Sequence, residues 1–80
     1  MQTANAIKKL EKAGLTVNSN GRGQYWADTP TDRIDWVDDM GNARAFYVKG
    51  HNVHDDIQTD CFCGVWCQSL KQAMRLAGLR

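Results

Sequence analysis

The window HNVHDDIQTDCFCGVWC, residues 51–67, holds both histidines and all three cysteines of the chain. His51, His54, Cys61, Cys63 and Cys67 are the residue types of a zinc shell, in which four N or S donors surround one ion. Their spacing argues against one. Structural zinc sites present C-x2-4-C pairs on tight turns, whereas these pairs are C-x-C and C-x3-C. On a continuing strand His51 and His54 point to opposite faces, and they converge only if the chain turns at Gly50 or Asn52. A redox pair calls for C-x-x-C in a βαβ setting, which is absent here. A Cys–His nucleophile needs a lowered thiol pKa and an orienting third group, and the sequence marks neither. Free cysteine is among the most buried residue types. Cys61 and Cys63 are therefore expected to pack as small hydrophobes around Phe62, with Cys67 nearer the surface. No bound metal and no cofactor are expected. An exposed Cys67 would link two copies through a disulfide under air oxidation, a link the reducing cytoplasm suppresses. The expected state is a monomer or a weak, thiol-linked homodimer.

Carboxylates are the other chemistry-bearing group. Asp28, Asp32, Asp35, Asp38, Asp39, Asp55, Asp56 and Asp60 fall at strand ends and in loops. A pair of them could act as general acid and base, but no spacing singles a pair out. No Gly-rich phosphate loop, nucleophile elbow or H-E-x-x-H motif accompanies them. Turn chemistry accounts for many aspartates at loops, and no enzyme is expected. What the aspartates do is segregate charge. The net charge of +1 hides basic ends, each +3, around a middle of −5 over residues 25–60. A bipolar molecule of this kind can present its acidic side to a basic partner. Asp28, Asp32, Asp35, Asp38 and Asp39 form one candidate partner-binding surface, and Asp55 with Asp56 a second.

The elements that must position these groups follow from periodicity. Ala6, Ile7, Leu10 and Ala13 recur at helical spacing, with lysines and Glu11 between them. Thr3 is the expected N-cap and Gly14 the left-handed C-terminal residue, with Leu15 as its apolar contact. Leu15–Val17, an Asn- and Gly-rich turn and the run GQYWAD read as a hairpin. DRIDWVDD alternates, placing Ile34 and Trp36 on one face and Asp35 and Val37 on the other. MGNA supplies a turn around Gly41-Asn42. ARAFYVKGH is the strongest strand, with Phe46 and Val48 opposed to Ala45 and Tyr47. Leu70, Ala73, Met74 and Ala77 then form a second helical stripe, opened by the capping pair Ser69 and Gln72 and closed by Gly78. A start near Val65 would add Trp66 to that stripe. The order predicts an α+β two-layer sandwich in which both helices cover one face of an antiparallel sheet of three or four strands. Residues 1–80 form a single domain. With 42% hydrophobic and 24% charged residues the chain is ordinary for a folded domain and unlike a disordered one. It has no apolar run of membrane-spanning length, and the start MQTANAIKKLEKAG lacks the pattern of a signal peptide, so a cytoplasmic location is expected. Trp26, Trp36 and Trp66 are many for so short a chain, and two of them are expected to be mainly buried.

HDDIQTDCFCGVWCQSLKQAMRLAG resembles a pattern in small polyvalent domains of phage and plasmid proteins, T-D-Y-F-x-G followed by S-L-K-Q-A and a closing helix. The match runs through Thr59, Asp60, Phe62, Gly64, Ser69, Leu70, Lys71, Gln72 and Ala73, about a quarter of the chain. Cys61 takes the tyrosine position and Cys63 the free one, which implies cysteines in a structural role. The resemblance implies a phage or mobile-element accessory protein, similar in build to anti-CRISPR proteins. Such proteins bind a host CRISPR effector complex of the Cascade type and block its engagement of nucleic acid. The helix–sheet–helix order also resembles a double-stranded RNA-binding domain. The alternative is therefore a small nucleic-acid-binding module that uses Lys8, Lys9, Lys12, Lys71 and Arg75 on its helices, although the aspartate-rich middle would repel phosphates.

Overall fold

The structure, a computed structural model, describes residues 1–50 and 64–79. Helix α1 spans Thr3–Lys12, and strands β1 (Val17–Ser19), β2 (Gln24–Asp28), β3 (Asp32–Asp39), β4 (Asn42–Ala43), β5 (Phe46–Gly50) and β6 (Val65–Cys67) follow; helix α2, Leu70–Leu76, ends the series. The strands form one antiparallel sheet in the order β1-β2-β3-β5-β6, with β4 beside β3. The α+β class and the helix–sheet–helix order agree with the sequence pattern. The sheet is larger than the expected three or four strands, with six among the described residues. Among the described residues no helix is long and apolar enough to cross a membrane.

Both helices end as their sequences dictate. Gly14 and Gly78 take positive φ, 91° and 84°. Gly14 N–H donates to Glu11 O and Leu15 N–H to Leu10 O, while Gly78 N–H donates to Arg75 O and Leu79 N–H to Met74 O. Each pair satisfies carbonyls that the helix end would leave open, and each turns a leucine back onto the core. Ser69 caps α2 by accepting from Gln72 N–H at 3.2 Å. The start of α1 differs from expectation. The N-cap is Gln2, with no side-chain cap, and Thr3 is the first helical residue. Its hydroxyl donates instead to the Asp38 carboxylate, tying the helix to the far end of β3.

Alternation sets the core. Ile34 and Trp36 of β3, Ala27 of β2, Phe46 and Val48 of β5 and Cys67 of β6 are buried against Ala6 and Leu10 of α1 and Leu70, Ala73 and Ala77 of α2. Trp36 stacks on Tyr25 with ring centroids 5.6 Å apart and meets Phe46 edge-on at 5.5 Å. Truncating such a side chain costs about 3–5 kcal/mol, a large part of the roughly 4–12 kcal/mol that a domain of this length holds.

Three local findings correct the sequence reading. The turn after β3 is Met40-Gly41, one residue earlier than expected, and both residues have positive φ, 51° and 88°. It is a two-residue hairpin turn of the type that favours Asn-Gly. The run ARAFYVKGH is not one strand. Asp38 pairs with Ala43 but Asp35 pairs with Tyr47, so Trp36 and Val37 oppose Arg44, Ala45 and Phe46, and the extra residue forms a β-bulge. Val65–Cys67 is an edge strand on β5 and not the first turn of α2. This last point places Cys67 in the core, 1% exposed, and not near the surface. Burial pushes its thiol pKa up, and the sulfur expected to join two copies is packed under α2.

Two outcomes follow. Met40→Asn relieves a left-handed backbone position that costs an L-residue with Cβ about 1 kcal/mol, and chemical denaturation should show a gain of that size. Cys67 in the folded protein should react with a thiol reagent far more slowly than in urea; a Cys61→Ser/Cys63→Ser background isolates its signal, and equal rates would contradict its burial.

Candidate binding surface

Because both helices lie on one face, the side chains that alternate away from the core make the opposite face of the sheet. Among the described residues no helix covers it. The register aligns one residue from each of five strands: Asn18 pairs with Trp26, Trp26 with Asp35, Asp35 with Tyr47 and Tyr47 with Trp66. The result is a continuous cross-strand row of three aromatic rings with one carboxylate at its centre. A neighbouring row runs Asp28, Arg33 and Lys49.

The aromatic groups are held in place. Tyr47 and Trp66 meet with centroids 4.9 Å apart and rings tilted by 56°. The Tyr47 hydroxyl accepts from Gly64 N–H at 2.5 Å. Gly64 has to be glycine, because a Cβ there would strike the Val48 carbonyl and the Tyr47 ring. The Arg33 guanidinium lies 5.8 Å from the Trp26 ring and donates from Nε to Asp28 Oδ1 at 2.7 Å. The guanidinium is thus fixed by a ring and a carboxylate together, although the ion pair, being exposed, contributes little stability. Trp66 is 64% exposed and ends the row.

Asp35 is the electrostatic centre. It is half-buried, and desolvation raises its carboxyl pKa above the usual carboxylate value, against the opposing pull of Lys49 and Arg33. Its ionised form is therefore held at a cost, one that a cation brought by a partner would offset.

The aspartates of the first candidate surface do not gather on one face. Asp28 and Asp35 lie on the open face, and the alternation of β3 places Asp39 with Asp35. Asp32 is buried at the β2–β3 turn, 5% exposed, where its N–H donates to Thr29 Oγ1 and its carbonyl accepts from Thr29 N–H. Asp38 points to the helix side, accepting from Thr3 Oγ1 and, through Oδ2, from Gly41 N–H. Asp39 pairs with Arg44 at 2.8 Å. Asp55 and Asp56 lie outside the described residues, as do His51, His54, Cys61 and Cys63. Local periodicity already separated Asp35 from Ile34 and Trp36. What it lacked was the pairing between strands, which alone lines up Trp26, Asp35, Tyr47 and Trp66.

The raised pKa of Asp35 has a definite sign. The stability that its protonated form contributes is full below the ordinary carboxylate range and is lost as pH rises through the raised native value. At neutral pH Asp35→Asn should therefore be at least as stable as the parent, with an advantage that disappears in acid. Urea midpoints measured across pH test this, and a variant less stable at neutral pH would overturn it.

No family model, no curated protein and no solved structure matches the chain.

Proposed function

We propose that this protein is a non-enzymatic binding protein that docks the open face of its sheet on a basic protein surface. In this reading it is an accessory protein of phage or mobile-element type, an inhibitor of anti-CRISPR kind that occupies a host nucleoprotein effector and blocks its engagement of nucleic acid. The observation that carries the reading is the central Asp35 between Trp26, Tyr47 and Trp66. Tryptophan and tyrosine are the residue types that dominate protein interfaces. A partly desolvated carboxylate among them suits an arginine or lysine, which can meet the carboxylate and an aromatic ring together.

The charge of this face favours a protein partner over nucleic acid. Arg33 and Lys49 are balanced by Asp28 and Asp35, and phosphate binding needs a cationic excess. The acidic character of the surface is thus focused at one position and not spread over a patch. Effector channels that hold nucleic acid are lined by lysine and arginine, the groups that Asp35 and its flanking rings fit.

The experiment is a pull-down from a host lysate, followed by affinity measurement on the captured complex. Trp66→Ala should weaken binding by roughly thirtyfold, about 2 kcal/mol. Asp35→Lys should abolish it while circular dichroism stays unchanged, and reversal of the dispersed pair Asp38 and Asp39 should have a small effect. Folded Trp66→Ala and Asp35→Lys variants that bind as the parent does would rule out the open face as the docking surface.

A further inference from the structure

Opposite the open face lies a groove of about 680 Å³, lined by Lys9 and Lys12 of α1 and by Leu70, Lys71, Met74 and Arg75 of α2. Each helix contributes two cations, and the rest of the lining is apolar. Among the described residues that line it, none is acidic and none is aromatic.

Helix physics explains part of this charge. Lys9, Lys12 and Arg75 sit in the last turns of their helices, where a cation is favoured by the helix dipole. It does not explain Lys71. That residue lies in the first turn of α2, which holds no acidic residue, and there a cation is disfavoured. The fourth cation is thus placed against local preference, and with Arg75 it gives α2 a cationic pair to match Lys9 and Lys12 of α1.

We infer that the groove between α1 and α2 binds an acidic amphipathic helix of a partner protein. Cations on both helices require anionic groups along both flanks of the ligand, and the apolar remainder of the lining requires an apolar stripe. A helix with leucine-like residues at i, i+3, i+4 and i+7 and glutamates beside them supplies both. An anionic lipid carries its charge at one end and would leave the cations of one helix unused. A single nucleic-acid strand would find phosphate partners but no ring on which to stack its bases. This surface is separate from the open sheet face, so the protein can hold two partners or two parts of one.

The test uses a fluorescein-labelled peptide of about four helical turns with that leucine and glutamate pattern. Its controls are a scrambled peptide of equal composition, labelled oligodeoxythymidine and phosphatidylglycerol vesicles. Anisotropy should show saturable binding of the patterned peptide, at least tenfold tighter than the scramble, and weakening with salt. Lys71→Glu is the deciding variant. It removes a cation from the first turn of α2, so its thermal stability should equal or exceed that of the parent, while its affinity for the peptide falls tenfold or more. Arg75→Glu should lose affinity similarly. No saturable binding at millimolar peptide, equal binding of the scramble, tighter binding of the oligonucleotide or vesicles, or undiminished binding by folded Lys71→Glu would each overturn the inference.

Discussion

Strand β3 pairs with β2, β5 and β4, and its two-residue alternation governs both faces of the protein. Ile34 and Trp36 project to the helices, while Arg33 and Asp35 project away from them. A slip of one residue would exchange the two sets, burying a carboxylate and a guanidinium and exposing the ring on which Tyr25 and Phe46 pack. The cost of that exchange fixes the register of the central strand, and through it the alignment of every residue on the open face. The surface proposed to bind is thus a by-product of the packing demand of Trp36.

Features governed by neighbours along the chain were legible from the residues alone. The stripe Ala6–Ile7–Leu10, the glycines that end both helices and the Ser69 cap depend on contacts within a few residues, and all are found where periodicity places them. Features governed by distant pairing were not. Val65–Cys67 is three residues long and reads equally well as strand or helix, and its strand state comes from the free edge of β5. That pairing is what carries Cys67 into the core. Thr3 looked like a cap because its competitor for the hydroxyl, Asp38, is remote in sequence. The turn in MGNA reads one residue late because methionine seldom takes positive φ.

Charge followed the same division. The sequence segregates acidic and basic residues by segment, and the fold redistributes them. Five aspartates of the middle segment separate into one buried, one hydrogen-bonded to α1, two paired with arginines and one left at the centre of the open face. The basic residues of the two ends converge, because α1 and α2 cover the same face of the sheet. A linear count of charge does not resolve faces, since strands scatter consecutive residues over two of them and neighbouring helices bring their sides together.

The β-bulge after Ala43 makes the chain one residue longer there than flat pairing requires. Loss of Arg44 or Ala45 would remove the surplus and still bring Phe46 opposite Trp36 and Tyr47 opposite Asp35. Loss of one residue on the β3 side would widen the mismatch instead. The two neighbouring strands therefore have unequal tolerance to change in length: the β4–β5 junction can drift by a residue across generations without scrambling either face, whereas β3 can accept substitutions but not deletions.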